Sequence, residues 1–172
     1  MPSQAFDESR RRLLRGRLRA APQQAALRPP WARADLFTDL CTRCGACVHA
    51  CPEAILHAGD GGFPEVDFRR GECSFCAACA DACPEPLFDR AAGRRPWTHV
   101  AAVGPSCLTA SRVVCRSCGD ACPESAIRFA LEPNGAARPS LDALACTGCG
   151  ACLSACPVGA VTIGAPETSH AA

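Results

Sequence analysis

Sixteen of the 172 residues of this chain are cysteine, and they form four quartets that each end in a Cys-Pro dipeptide. Three quartets share the spacing C-x2-C-x2-C-x3-C-P, the run that holds a cubane iron–sulfur cluster. These regular quartets are Cys41, Cys44, Cys47 and Cys51; Cys73, Cys76, Cys79 and Cys83; and Cys146, Cys149, Cys152 and Cys156. The remaining quartet, third along the chain, is Cys107, Cys115, Cys118 and Cys122, with seven residues between its first two cysteines. The pattern uses every cysteine and predicts [4Fe-4S] clusters, one for each regular quartet and a fourth that depends on the irregular one.

Disulfide bonds and zinc are two other uses that so many cysteines could have. Four cysteines within eleven residues are badly placed to pair with good bridge geometry. Zinc sites prefer two C-x2-C pairs separated by a longer loop, so that each pair holds one side of a tetrahedron. Three cysteines at x2 intervals instead wrap a loop around one face of a larger cube, which favours iron–sulfur clusters. A zinc-bound structural module is the alternative, and metal analysis would distinguish it from iron–sulfur clusters. The irregular quartet could also be an eroded site that binds weakly or not at all.

The fourth cysteine of each run lies across a helical turn from the third and is directed at the other cluster of a pair. The proline after it removes a backbone donor and makes the cysteine extended, so the helix ends there. We therefore expect four sites with crossed ligands, named here after the quartet that supplies three of the four cysteines. The first site is Cys41, Cys44, Cys47 and Cys83; the second is Cys73, Cys76, Cys79 and Cys51; the third is Cys107, Cys115, Cys118 and Cys156; the fourth is Cys146, Cys149, Cys152 and Cys122.

The quartets repeat along the chain, because Cys44 and Cys115 are 71 residues apart and the next cysteines of their quartets keep the same interval. We interpret residues 36–90 and 98–165 as two copies of one unit that carries two quartets. Residues 1–35 form a separate N-terminal arm in this interpretation. Neither unit can complete its sites from one quartet, which explains why the quartets come in pairs.

Each unit is predicted to run strand, loop, helix, hairpin, loop, helix, strand. Short apolar runs flanked by Gly and Pro predict the hairpins, and small residues between the third and fourth cysteines predict short helices. The predicted segments are helices at 46–50 and 77–82, hairpins pairing 54–57 with 64–67 and 127–131 with 138–141, and a closing strand at 161–163. The fold class is therefore α+β, with two tandem bacterial-type two-[4Fe-4S] ferredoxin-like units and a basic, mostly irregular N-terminal arm.

Large core residues are scarce, with seven Phe, two Trp, one Met and no Tyr. A core this small usually needs staples, and in this chain they must involve cysteine. Metal binding and folding then share one free energy. We expect the metal-free chain to be largely unfolded or a molten globule.

Charge separates the N-terminal arm from the rest of the chain. All eighteen basic residues are Arg, and eight of them lie in residues 1–35 with three acidic residues. A basic arm can contact nucleic acid or membrane surfaces, but these Arg residues are mixed with Ala, Pro and Gln, which favours protein binding or solvation. We expect no nucleic-acid partner, and no stretch is long enough to span a membrane.

The segment Ser9-Arg10-Arg11-Arg12 is similar to a twin-arginine export motif. Further Arg and Pro residues interrupt the apolar region that an export signal needs, so we expect a cytoplasmic protein.

No catalytic constellation is found. His49, His57, His99 and His170 lack ligand spacing, and the glycine-rich pieces match neither a P-loop nor a dinucleotide fingerprint. We do not expect the chain to be an enzyme in its own right.

The flanking segments make the resemblance more specific than the cysteines do. The segments are Ser9-Arg10-Arg11 with Arg15-Gly16-Arg17, Arg28-Pro29-Pro30-Trp31, Cys41-Thr42-Arg43-Cys44, Glu72-Cys73-Ser74-Phe75-Cys76 and Cys83-Pro84-Glu85, with the irregular third quartet. With them the chain resembles, over nearly its whole length, the NapF family of ferredoxin-type proteins associated with periplasmic nitrate reductase. The resemblance implies a cytoplasmic protein that binds the molybdenum-containing catalytic subunit of that reductase before export. It also implies a role in maturation, by assembly or reduction of that subunit's own iron–sulfur cluster.

An electron-transfer polyferredoxin subunit of a nitrate-reductase-linked redox chain is the alternative, because clusters suited to carrying electrons look alike in the two roles. Binding of the apo catalytic subunit would distinguish the two.

Overall fold

The computed structural model describes residues 26–131 and 137–164. The first 25 residues of the predicted arm, with the segment similar to an export motif, and the predicted turn Pro133-Asn134-Gly135 lie outside the described residues. Among the described helices none is long and apolar enough to cross a bilayer. Short helices and strands alternate in both halves, as expected for tandem α+β units.

The first unit contains one hairpin and three short helices. Its elements are α1 (Phe37–Leu40), α2 (Ala46–Ala50), β1 (Leu56–Ala58), β2 (Pro64–Val66) and α3 (Ala78–Asp81). The antiparallel strands β1 and β2 place Leu56 opposite Val66 and are joined through a 3-10 turn at Asp60–Gly62. Helix α2 ends at Cys51, which is extended at φ −75° and ψ 111° ahead of its proline. The predicted helix end is confirmed, and the predicted hairpin is present with its first strand at Leu56–Ala58 rather than 54–57.

The second unit repeats this order and adds a pair of closing strands. Its elements are β3 (Val100–Val103), a 3-10 helix (Leu108–Ser111), α4 (Ser117–Asp120), β4 (Ile127–Leu131), β5 (Ala137–Leu141), α5 (Ala151–Ser154) and β6 (Val161–Gly164). Strands β4 and β5 form the predicted hairpin, with Ile127 opposite Leu141. Strand β6 pairs with β3 over four residues, with Val100 opposite Gly164.

In the first unit the equivalent closing pair is reduced to one bridge between Ala32 and Phe88. Pro29 and Pro30 lie just before Trp31 and the bridge residue Ala32. Because proline has no N–H, these two residues cannot extend the bridge into a ladder of hydrogen bonds. Pro29 is instead fully buried, and the N–H of Trp31 donates to the carbonyl of Pro96 at 2.8 Å.

The described end of the predicted arm, residues 26–35, is held by the first unit. The N–H of Arg33 donates to the carbonyl of Leu87 at 2.9 Å, and the N–H of Val66 donates to the carbonyl of Leu27 at 2.8 Å. The division at residue 35 stays a prediction, but the residues just before it contribute to the packing of the first unit.

Two small apolar clusters form the core, and cysteines belong to both. One joins Cys118, Cys146 and Cys152 to aliphatic residues of the second unit. The other joins Cys47 and Cys79 to Ile55, Leu56, Phe68 and Trp97. The residues expected to bind clusters are therefore also core residues.

A junction of rings, Phe68, Trp97 and His99, packs the two units together. The Phe68 and Trp97 rings meet edge-on with centroids 5.6 Å apart, and the Trp97 and His99 centroids are 4.7 Å apart. A Cβ on Gly150 would overlap the Phe68 ring, so this glycine is required by the close approach as well as by its φ of +87°. Arg95, in the segment between the two units, donates to the carbonyl of Cys146. These contacts hold the fourth quartet against the first unit.

Candidate iron–sulfur sites

The four cysteines of the first site surround one pocket. Cys41, Cys44, Cys47 and Cys83 all line a partly open space of about 350 Å³. Burial, followed by the charges of the nearby Cys83 and Cys41 thiolates, raises the pKa of Cys47. The structure thus brings the last cysteine of the second quartet to the first three of the first quartet.

The third site has the same arrangement. Cys107, Cys115, Cys118 and Cys156 line a partly open space of about 330 Å³, together with apolar residues such as Leu108 and Val158. Burial raises the pKa of Cys118, and the charges of Cys107 and Cys115 raise it further. The irregular spacing of this quartet does not prevent its cysteines from converging.

At the second and fourth sites, electrostatic coupling to the buried thiols of Cys79 and Cys152 shows that the cysteines lie close together, although Cys76 of the second site is exposed. Burial raises the pKa of Cys79 to about 12, with added repulsion from Cys73 and Cys51. Burial likewise raises the pKa of Cys152 to about 12, with repulsion from Cys149, Cys146 and Cys122. Thiolates this close together repel one another and need a compensating positive charge, which bound iron would supply.

The loops of the regular quartets share an unusual backbone. The residues on either side of the second cysteine all have φ between 55° and 87°; they are Arg43 and Gly45, Phe75 and Ala77, and Gly148 and Gly150. Residues other than glycine rarely adopt this conformation, and they keep it where their surroundings over-determine it. Turns of this type direct successive N–H groups into a concavity that binds anions, as at many iron–sulfur sites.

The third quartet lacks this loop. Arg116, which follows its second cysteine, has a φ of −133°. A positive φ of 62° occurs instead at Arg112, directly after the 3-10 helix formed by Leu108–Ser111. The seven-residue gap therefore contains a structured insertion that reaches the same site by another path.

Backbone N–H groups interact with cysteine thiols in both units, as at Cys47 and Cys83 of the first, and two such contacts are defined by their distances in the second unit. The N–H of Ala126 donates to Cys122 Sγ at 3.3 Å, and the N–H of Ala160 donates to Cys156 Sγ at 3.2 Å. Burial acts to raise the pKa of Cys156, but backbone N–H groups, led by that of Val158, outweigh it and the pKa is lowered. Thiolates that accept hydrogen bonds share their charge with the protein, which tunes a bound cluster.

Hydroxyl groups at the third site were missed by the sequence analysis. Thr109 Oγ1 lies 3.2 Å from Cys107 Sγ, and Ser117 Oγ lies 3.7 Å from Cys115 Sγ. In both cases a hydroxyl residue stands two positions after a cysteine, a spacing that could have identified the pair.

The second and fourth quartets touch across the junction between the units. The N–H of Cys73 donates to the carbonyl of Cys149 at 2.8 Å, and the Cys149 thiolate adds to the pKa rise of Cys73, which burial takes to about 11. Within the units, Cys79 is coupled to Cys47 and Cys152 to Cys118. The sites are therefore contiguous in the order first, second, fourth, third.

The geometry of the thiols fits clusters better than single ions. All sixteen cysteines are free thiols, with no disulfide bond among them. In residues 26–131 and 137–164, no three His, Cys, Asp or Glu side chains are grouped closely enough to hold one metal ion. Four thiols spread around a cavity, with N–H groups directed into the loops, match a cage of several iron atoms.

Comparison with known proteins agrees with this geometry. A family model described as a 4Fe-4S dicluster domain matches twice, over residues 40–86 and 111–160. The ferredoxin-type protein NapF of Haemophilus influenzae is 47% identical over 138 residues, which cover 80% of this chain and 78% of that protein. NapF of Escherichia coli K12 is 46% identical over 158 residues, which cover 91% of this chain and 94% of that protein.

The chain belongs to the NapF family of ferredoxin-type proteins. It binds [4Fe-4S] clusters and transfers electrons, as the two dicluster segments indicate. The resemblance inferred from sequence is confirmed. The second dicluster segment of this NapF-family chain starts after Cys107, so the number of clusters and the full ligand set of the third site stay predictions.

Proposed function

We propose that the chain is a cytoplasmic accessory protein that binds the catalytic subunit of periplasmic nitrate reductase. It assists maturation of that subunit before export, by assembly or reduction of the subunit's own iron–sulfur cluster, and has no enzymatic activity of its own. Membership of the NapF family over most of the chain supports this role. So does the one-electron chemistry that [4Fe-4S] clusters provide.

The surface beside the third site supports the proposal that a partner protein docks there. Val113, Val114 and Val158 expose 48%, 86% and 44% of their surfaces, and we call these three residues the third-site rim. Val158 lines the pocket, and Val114 precedes Cys115, which also lines it. Exposed apolar residues that surround a functional pocket mark sites of protein contact. A partner that covers this rim would approach the third site closely enough to exchange electrons with it.

Binding of the purified catalytic subunit to the cluster-loaded protein tests this role. We expect Val114→Asp and Val158→Asp to weaken binding at least tenfold, because each places a carboxylate in an apolar contact. Leu144→Asp is the matched control, since Leu144 is 89% exposed and does not line the third-site pocket. Absence of binding by the unmodified protein would refute the maturation role, and equal weakening by all three variants would refute the rim.

An electron-transfer polyferredoxin is the second candidate, and the hydrogen bond from Cys73 to Cys149 favours it. A contiguous series of four sites is more than delivery of a single electron requires. The two roles predict different catalytic subunits in cells that lack this protein. The maturation role predicts a subunit deficient in iron and inactive with an artificial donor, whereas the carrier role predicts a fully loaded subunit that fails only with its physiological donor.

A further inference from the structure

The third site differs from the others in the hydroxyl groups that reach its sulfurs. Thr109 is 5% exposed, and it and His99 are the buried polar residues of the described chain. Buried hydroxyl groups in proteins have hydrogen-bond partners, and the partner of Thr109 is Cys107 Sγ, at 3.2 Å. The insertion in the third quartet creates this contact, because its 3-10 helix begins at Leu108 and carries Thr109 back over the preceding cysteine.

Ser117 repeats the arrangement at the next cysteine. Its Oγ lies 3.7 Å from Cys115 Sγ, at the first residue of α4. A third donor is the N–H of Ala160, which lies 3.2 Å from Cys156 Sγ. Three of the four thiols of the third site therefore have a donor group beside them.

Cluster binding fixes the direction of these hydrogen bonds. A cysteine that ligates iron has lost its proton and can only accept, so the Thr109 and Ser117 hydroxyls must donate. Hydrogen bonds to an ionised acceptor are about twice as strong as neutral ones. Reduction adds a further negative charge to the cluster and its thiolates, so donors stabilise the reduced state more than the oxidised state and raise the reduction potential.

The remaining sites have fewer hydroxyl donors, although backbone N–H groups also act on thiols there, as at Cys73 and Cys79. At the fourth site, the Thr147 side chain donates to Cys149 and the N–H of Ala126 to Cys122. In the described part of the first unit, no hydroxyl group lies within hydrogen-bond distance of a cysteine sulfur, although Thr42 and Ser74 follow the first cysteines of their quartets.

We propose that Thr109 and Ser117 give the third site the highest reduction potential of the four. An electron taken up by this protein is then held at the third site. The third site lies at one end of the contiguous series, so an electron that enters elsewhere moves to it through the fourth site. With clusters bound, the transfer would be internal: the fourth site would be oxidised from the 1+ to the 2+ state as the third is reduced from 2+ to 1+, with no proton moved. The inference does not depend on nitrate reductase as the partner.

Redox titration of the purified, cluster-loaded protein, followed by EPR, tests the proposal. We expect Thr109→Val, which removes only the hydroxyl, to shift the first-reduced signal to lower potential and to leave the other signals in place. Ser117→Ala is expected to cause a smaller shift because its contact is longer, and the double variant a larger one. Thr109→Ser keeps a hydroxyl and should retain the original potential, which separates tuning from packing.

Thr42→Val and Ser74→Ala are the matched controls, and they should leave every potential unchanged. Cys115→Ser should remove or alter the first-reduced signal and so assign it. The proposal is overturned if the first-reduced signal is insensitive to both hydroxyl variants, or if about twelve rather than sixteen irons per chain show that the third site is empty. Failure to bind the catalytic subunit would refute the proposed function and leave these shifts unaffected.

Discussion

The two units follow one plan and close it differently. In the second unit, β3 and β6 pair over four residues and bring the start of the unit to its end. In the first, the same pairing is reduced to the bridge between Ala32 and Phe88, and buried proline replaces the ladder. The closing strands of the second unit supply the core residues Val100, Ala101 and Val161, whereas neither residue of the bridge in the first unit belongs to its core cluster. In both units, the cysteine loops and the short helices beside them occupy the core.

The third quartet departs from the plan in the opposite sense. It lacks the positive φ values that flank the second cysteine of each regular quartet. It has instead a 3-10 helix, two contacts between hydroxyl groups and cysteine sulfurs, and the exposed third-site rim. The first unit and the fourth quartet thus keep a repeated binding geometry, while the third site combines that function with features suited to electron storage and protein contact.

Removal of iron is the change with the largest expected effect on both units. Five cysteines belong to the two core clusters, so chelation of iron should remove the side-chain anchors of both cores. We expect the metal-free protein to lose its dispersed NMR spectrum and its cooperative thermal transition, because cluster binding supplies the folding free energy. A well-dispersed spectrum of the second unit alone would instead show that β3 and β6 suffice to hold it.

Loss of one crossed ligand tests whether the units are built alike. Cys51 is electrostatically coupled to Cys73 and Cys79, and Cys83 to Cys44 and Cys41. We therefore expect the EPR spectrum of Cys51→Ser to match that of Cys76→Ser, and the spectrum of Cys83→Ser to match that of Cys44→Ser. Each variant should lose about four irons, one cluster, per chain. If Cys51→Ser matched Cys44→Ser, each quartet would complete its own site.

Local patterns were sufficient to predict the cysteine quartets, the helix that ends at Cys51 and both hairpins. These features depend on residues a few positions apart, through proline geometry and the alternation of apolar residues. Strand β3 was not located, because Val100–Val103 is defined by a partner about sixty residues away. The packing of Phe68 on Gly150 and the contact between Cys73 and Cys149 are also long-range, and no local pattern reports them.

The packing of residues 26–35 was not predicted from the charge pattern. The backbone N–H of Arg33 donates to the carbonyl of Leu87, and the Trp97 indole donates to the carbonyl of Arg28 at 3.0 Å. That the arm binds a partner protein or is solvated stays a prediction. Burial of Pro29 decides the position of this segment, and composition alone cannot show which side chains are buried.

A tighter junction should affect the protein less than the loss of a ligand does. In Gly150→Ala, the new Cβ overlaps the Phe68 ring and the alanine must adopt a φ of +87°. In Gly159→Ala, the alanine must adopt a φ of +61°, but no atom lies within 4 Å of the new Cβ. Both substitutions cost about 1 kcal/mol for the left-handed backbone. In Gly150→Ala, the overlap lowers the free energy of unfolding by a further ~1–3 kcal/mol. A loss of this size lowers the Tm by several degrees in a chain of this length. Bleaching of the cluster absorbance on heating measures the difference, and equal Tm values for the two variants would show that the junction is not tightly packed.

Between about pH 7.5 and pH 5.5, the smallest expected effect is the pH dependence of stability that comes from burial of His99 at the junction. Burial lowers the pKa of His99 from 6.5 to about 4, against a weaker opposing effect of its hydrogen bond to the Gly148 carbonyl. Between these values the unfolded chain binds a proton that the folded chain does not, so stability falls as the pH falls through this window. The loss is about 1 kcal/mol at about pH 5.5 and about 3 kcal/mol near pH 4. His99→Gln removes the titrating ring and keeps a side-chain donor for Gly148. Its Tm should therefore decline less than that of the unmodified protein between about pH 7.5 and pH 5.5, whereas parallel declines would assign the acid sensitivity to the clusters or to carboxylates.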